Sequence, residues 1–369
     1  MHPRRRALTR LLIGTAACLS LPTRAQPDKR IVIGQAAALT GPAAQLGLQM
    51  NRGARIAFDR INAGGGINGR GIELRVLDDG YEPERCRAQT EVLINKEGVF
   101  ALFGYVGTPT SLAALPLATA AGVPFIGPFT GAEALRDPFN HLVFHVRASY
   151  FDETALIVKE LTELGRKRIA VFRQNDSYGQ AGLDGVVRAL KARGLAPVAV
   201  GLVERNSVDV AAAVQALVPQ QPDAVIQIGA YKGCAAFIRQ ARAAGYGGSF
   251  CNVSFVGTQA LADELGKEAL GVMVSQVMPY PFSTTTPIAR EYLDAVRRAG
   301  PDAAANYSSI EGYIAAKVFA EGLRRAGANP TREGLVSGLE SLQRYDVGGY
   351  NVNFGPREHR ASSFVELSL

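Results

Sequence analysis

From residue 31 to about 343, short apolar runs alternate with longer stretches whose apolar positions fall three or four apart. The runs read as strands and the stretches as amphipathic helices. Ile31–Ala37 (IVIGQAA) opens the series as a central strand. Thr40-Gly41-Pro42 breaks it, and a helix is expected over 43–62, with Leu46, Met50, Ala54, Ala57, Phe58 and Ile61 on one face. Strands at 72–79, 101–104, 124–126 and 142–146 follow, separated by helices at 82–96 and 112–121. A second series runs from Tyr150. Its helices are expected at 152–164, 180–193, 208–218 and 231–244, and its strands at 168–173, 197–203, 224–229, 249–255 and 271–276. Three helices (287–299, 308–327 and 331–343) and two strands (350–354 and 363–367) complete the chain. Strand alternating with helix predicts an α/β fold with mainly parallel sheets covered by helices on both faces. Two such series, Pro-rich crossings such as Met278-Pro279-Tyr280-Pro281 and the late return of helices predict two doubly wound lobes joined by several strands.

The stretch Ala101 to Gly131 (ALFGYVGTPTSLAALPLATAAGVPFIGPFTG) organises the first lobe. Thr108-Pro109-Thr110-Ser111 carries helix-start signals, a cap hydroxyl and a proline near the first helical position. Gly127 to Gly131 forms a second loop. Both loops leave the carboxyl ends of parallel strands, where such sheets bind ligands. A helix N-terminus with hydroxyls suits a carboxylate. The stretch reads as half of a small-molecule clamp.

Charge alters this picture only after the N-terminus is set aside. Residues 1–25 contain Arg4-Arg5-Arg6, an apolar segment from Leu11 to Leu21 and a small-x-small site before Gln26, the pattern of a secretory signal peptide. Twin-arginine export through Arg5-Arg6 and lipidation at Cys18 are open variants. The remaining 344 residues carry 35 basic and 33 acidic side chains, a formal charge of +2 against +7 for the whole chain. No basic patch argues for nucleic acid. Cys86, Cys234 and Cys251 match no zinc or redox spacing and are expected as buried thiols.

The other candidate chemistry reduces to structure. Gly64 to Gly71 contains GxGxxG, but the run follows a helix and opens a strand, so it reads as a stop and a turn. Asp78-Asp79 at a strand end is expected to cap and brace the loop. His141 and His145 lie four apart on a strand, about 13 Å, too far to share an ion.

In order and spacing, IVIGQAAALTGPAAQLG at 31–47, INAGGGINGRGIEL at 61–74, VLDDGYEP at 76–83, GYVGTPTS at 104–111, VPFIGPFTG at 123–131, RQNDSYGQAGL at 173–183, PDAVIQIGAY at 222–231 and the tail from Tyr350 resemble the periplasmic solute-binding proteins of the leucine/isoleucine/valine-binding type, which feed ABC importers. The resemblance covers the whole chain after residue 25. It implies the type I periplasmic binding protein fold, with lobe 1 at 26–147 and 280–345 and lobe 2 at 148–279 and 346–369. It implies a periplasmic monomer that captures a small-molecule solute without a cofactor and delivers it to a membrane permease. The resemblance also places the ligand site. Thr108 corresponds to the serine that holds the ligand carboxylate. Phe129, Thr130 and Gly131 form the second contact loop, Tyr178 closes from lobe 2, and Tyr231 lies at the next loop.

The departures bear on the ligand. The acid that holds an α-ammonium aligns at Ser254, the pocket aromatic aligns at Leu46, and the lobe 1 disulfide positions fall near Tyr81 and Gly107. Either Glu311 or another acid replaces the missing one, or the ligand lacks an amine. A sensory receptor subunit and an α/β enzyme are the alternative functions; the chain shows no G-x-S-x-G, P-loop or usable HExxH.

Overall fold

A computed structural model describes residues 30–369 other than 302. The signal-peptide reading therefore lies outside the described residues. The first sheet is built from β1 (Ile31–Ala37), β2 (Ile72–Asp78), β3 (Ala101–Phe103), β4 (Phe125–Ile126) and β5 (Val143–Phe144), interleaved with α1 (Ala44–Ala63), α2 (Pro83–Glu91) and α3 (Thr108–Ala120). Its order is β2-β1-β3-β4-β5, all parallel. The second half supplies α4 (Tyr150–Glu163), β6 (Ile169–Gln174), α5 (Ser177–Lys191), β7 (Val200–Val203), α6 (Ala211–Leu217), β8 (Ala224–Ile228), α7 (Tyr231–Ala243), β9 (Ser249–Asn252), α8 (Thr258–Leu265) and β10 (Val272–Gln276). The chain ends with α9 (Pro287–Ala299), α10 (Tyr307–Arg325), α11 (Arg332–Glu340), the hairpin β11 (Tyr345–Asp346) and β12 (Asn351–Val352), and β13 (Glu366–Ser368). The second sheet runs β13-β10-β9-β8-β6-β7, parallel except at β13. The central strands are buried along their apolar runs, Val32 alone in β1 being half-buried, as parallel strands covered on both faces should be.

Three segments cross between the two halves: 145–149, 277–286 and 353–365. Two of them pair with each other. His145 N–H donates to His359 O (2.8 Å), and Ala361 N–H donates to His145 O (2.8 Å). His359 stacks on Phe144, with ring centroids 3.7 Å apart. His145 is buried, with Nε2 3.0 Å from Leu135 O. These histidines brace the crossing.

The returning helices complete the first half. α10 packs on α1 through small residues: a Cβ on Gly53 would lie 1.8 Å from Ser309 O, and one on Gly312 would lie 2.1 Å from Met50 O. Backbone stands in the way in both cases, so neither position has a side chain that can yield. Gly53→Val is expected to destabilise the fold by about 3 kcal/mol through forced separation of the two helices, read as a lower urea midpoint.

Several boundaries differ from the sequence reading. α3 begins at Thr108 itself, with Gly107 as its cap residue (φ +98°), so Thr108 is not the N-cap. α5 begins at Ser177 because Asp176 accepts from the Tyr178 and Gly179 amides, which brings Tyr178 into the first turn. β9 stops at Asn252, leaving Ser254 in a tight turn at 254–256. α8 was not anticipated, and the strand expected at 350–354 is half of a short hairpin. The turn and loop readings hold. Gly64–Gly71 is a turn before β2. Asp78 accepts from the Leu39, Thr40 and Gly80 amides, and the three described cysteines are buried and free.

Candidate ligand cleft

The site is built where the β3–α3 loop, the β4–β5 loop and the first crossing meet the second sheet. Gly104 (φ +63°) and Gly107 (φ +98°) let the chain turn from β3 into α3. No side chain caps the first turn of α3. The Thr110 hydroxyl turns back to Val106 O and Gly107 O. The Thr108 and Thr130 hydroxyl oxygens lie 2.7 Å apart, and Thr130 donates to the Tyr150 hydroxyl at 3.3 Å. All three side chains are fully buried. Gly131 brings Tyr150 close: its carbonyl accepts from Tyr150 N (2.8 Å), and a Cβ there would lie 2.7 Å from the same nitrogen. Three hydroxyls thus converge beside a helix N-terminus whose amides no side chain takes, a ready site for an anionic oxygen.

An aromatic cluster adjoins it. Phe255, from the turn after β9, packs against Tyr178 (4.7 Å between centroids), Phe129 (5.4 Å) and Tyr81 (5.9 Å). Tyr178 also faces Tyr150 at 5.4 Å. Tyr81 stands in left-handed backbone (φ +63°), accepts from Gln174 Nε2 (3.2 Å), and presses on Gly107, where a Cβ would lie 2.2 Å from Tyr81 Cε2. Tyr81 and Gly107 are thus neighbours, and a ring fills the place the family resemblance assigns to a disulfide. Such backbone in a bulky residue is costly and concentrates at functional sites.

A charged cluster forms the floor. Arg147, on the first crossing, is 1% exposed and lies over the Phe129 ring at 4.9 Å. Its guanidinium donates to Ser254 Oγ and stands 3.4 Å from Glu153 and 3.6 Å from Glu311. Glu153 accepts from Ser254 N (2.7 Å), Ser254 Oγ (3.0 Å) and Ser275 Oγ (2.6 Å), so its lone pairs are occupied. Arg136, just behind, donates to Arg147 O and Ala148 O at 3.3 Å. Burial raises the Glu311 carboxyl to about 7, with Arg147 opposing and Glu153 reinforcing the shift. Burial lowers Arg136 to about 10. Arg147 is pushed above its usual value: burial disfavours its charge, but Glu311 and Glu153 outweigh that.

The structure brings Thr108, Thr130, Phe129, Tyr178 and Ser254 into one buried cluster, with Gly131 supporting it through backbone. Tyr231 starts α7 and lies near the Gln45 backbone of α1 instead. Leu46 touches Gly257, where a Cβ would lie 2.5 Å from Leu46 Cδ2. Sequence reasoning missed Tyr81, Tyr150, Phe255, Arg147 and Glu153. Only Arg147 left a trace, as a charge directly after the apolar run LVFHV.

The buried carboxyls give a pH signature. Burial also raises Asp79, to about 6. Both groups keep their protons in the folded chain at pH values where the unfolded chain has released them. Between about pH 4.5 and 7 the folded state binds more protons, so stability falls as pH rises. A urea midpoint higher at pH 5 than at pH 7.5 is expected, with Glu311→Gln flattening the difference; a midpoint that rises over this range would contradict it.

Two α/β halves, the crossings between them and a buried cluster of hydroxyls, rings and charges where they meet define a two-lobe protein. The periplasmic binding protein family model matches residues 30–366, and the chain belongs to that family, in its Leu/Ile/Val-binding type. Leu/Ile/Val-binding protein homolog 8 of Brucella abortus is 26% identical over 94% of this chain and 90% of its own. A possible leucine/isoleucine/valine-binding protein from Rhodopirellula baltica SH 1 superposes with a TM-score of 0.89 at 38% identity, covering 93% of this chain and 95% of that one. A substrate-binding periplasmic protein from Ralstonia solanacearum gives 0.87 at 34% identity over 91% and 96%. These relatives are binding proteins, and the family places the chain in the periplasm. Among the described residues no helix is long and apolar enough to cross a membrane.

Proposed function

We propose that the protein captures a small carboxylate-bearing solute without an α-ammonium group and presents it to the membrane permease of an ABC importer. The carboxylate sits against the first turn of α3 and the hydroxyls of Thr108, Thr130 and Tyr150. Phe129, Tyr178 and Phe255 enclose the apolar body. The observation that carries this reading is the pairing of a hydroxyl-rich helix N-terminus with nearby carboxylates that already face a buried guanidinium. Glu153 is taken up by Ser254, Ser275 and Arg147, and Glu311 is paired with Arg147. A buried ammonium would have to take Glu311 away from Arg147 and leave that guanidinium less compensated, and that is costly.

The lobes are the first sheet with α9–α11, and the second sheet with β13. The 345–352 hairpin lies on the first, since Gly348 O accepts from Ile288 N (2.9 Å) and Arg325 lies over Tyr345. Closure about the three crossings buries the solute, and the permease reads the closed form. No step of this cycle requires chemistry on the solute.

A thermal-shift and calorimetric panel of amino acids against their deaminated counterparts tests the proposal, since binding to the folded state raises the melting temperature. Saturable stabilisation by carboxylic acids and not by the matching amino acids is expected. Micromolar or tighter binding of leucine would sink it.

A further inference from the structure

One feature of the cleft floor is not used by a single carboxylate. Arg147 is buried, yet its Nε and Nη1 make no hydrogen bond. A buried donor without a partner is a standing cost, and a guanidinium presents its donors in a fork that matches a carboxylate. Its two acidic neighbours are not equivalent. Glu153 is fixed by three hydrogen bonds from Ser254 and Ser275. Glu311 stands 3.6 Å from Nη1, an ion-pair distance without a hydrogen bond. Beside it is a cavity of about 10 Å³ lined by Phe129, Ser254, Gln276, Tyr307, Ser308 and Glu311, room for about one water.

We propose that Arg147 is a second anion subsite and that the solute is a dicarboxylate, its apolar spacer crossing the Phe129 and Phe255 rings between the α3 N-terminus and the cleft floor. The inference rests on the cleft reading above and names its solute class. The incoming carboxylate takes the place of Glu311 as the partner of Arg147. Glu311 then accepts one proton from solvent, so the charge of the floor is unchanged: one carboxylate enters and one is neutralised. The groups that face Glu311 are Arg147 and Arg136, which favour its charge, and Glu153, which opposes it; Tyr350 is also near. With burial already holding Glu311 at about 7, the proton is taken up readily near neutrality. A second carboxylate raises that value further. Affinity therefore falls as pH rises above 7, by up to about tenfold per unit while one proton is taken up.

The experiment is calorimetry of the mature protein with adipate, suberate and terephthalate against hexanoate, octanoate and benzoate, from pH 6 to 8.5, in two buffers of different ionisation enthalpy. A dicarboxylate is expected to bind about ten- to a hundredfold more tightly than its monocarboxylate, the yield of charge-assisted hydrogen bonds, and with net proton uptake. Arg147→Lys should erase the preference. Glu311→Gln should keep the binding and remove the proton uptake, and it stands on its own if the Arg147 variant does not fold. Equal affinity for the two classes, or dicarboxylate binding without proton uptake, would overturn the inference and leave the cleft reading in place. Binding of neither class would overturn both.

Discussion

Replacing Glu153 by alanine is expected to lower the stability of the folded chain by about 3–5 kcal/mol, the cost of leaving a buried partner charge uncompensated. Glu153 is fully buried and is the only carboxylate of the floor fixed by hydrogen bonds from both β10 and the turn after β9. Without it, Ser254 N loses its acceptor, Ser275 Oγ keeps only Asn252 O at 3.3 Å, and the one carboxylate left beside Arg147 is Glu311, which burial drives toward neutrality. Against a total of roughly 5–15 kcal/mol for a typical domain, this is a large fraction. Urea unfolding monitored by circular dichroism reads the loss. Glu153→Gln keeps acceptor oxygens and shape but removes the charge, so it should fall between wild type and alanine. An exposed helical pair such as Arg87 with Glu91 is the control, and Arg87→Ala should leave the midpoint unchanged. A Glu153→Ala protein as stable as wild type would mean that the cluster does not hold the floor together.

That cluster also marks how far the sequence could be read. Periodicity located β1, α1, β6 and α10 nearly to the residue, because each carries a long apolar run or face that only one packing buries. The meeting of Thr108 and Thr130 was legible for the same reason: both follow strand ends, and loops after parallel strands converge. The floor was not legible. Arg147, Glu153, Ser254 and Glu311 come from a crossing segment, two helices and a tight turn, and their meeting depends on how the two halves close, which no local pattern encodes. Ser254 was placed by family position alone, and the structure shows it holding Arg147 and Glu153. Tyr81 was hidden differently. Nothing in DDGYEP signals that its backbone turns left-handed and lays the ring on Gly107. The start of α5 was placed three residues late, since Ser177 and Tyr178 read as loop until the Asp176 side-chain bonds to the Tyr178 and Gly179 amides are seen.

The double replacement Thr108→Val, Thr130→Val is expected to weaken binding of the solute carboxylate about a hundredfold or more at a cost to stability smaller than that of Thr130→Val alone. The two hydroxyls bond to each other at 2.7 Å in a fully buried site, so removing both together leaves neither hydroxyl behind, the Tyr150 hydroxyl and Ala132 N lose only long 3.3 Å contacts, and valine conserves shape and β-branching at the first position of α3. A bound carboxylate, by contrast, loses two charge-assisted hydrogen bonds of about 1.5–3 kcal/mol each. Thr130→Val alone should cost more stability than the pair, because the buried Thr108 hydroxyl then has no partner, whereas the bonds to the Tyr150 hydroxyl and from Ala132 N are lost in both variants. This inversion, a double variant more stable than one of its parents but far weaker in binding, separates a ligand site from a packing element. Calorimetric titration with whichever carboxylate stabilises the wild-type protein, set beside urea unfolding of all three variants, measures both quantities. Unchanged affinity in the double variant would mean that the carboxylate is not held by these two hydroxyls.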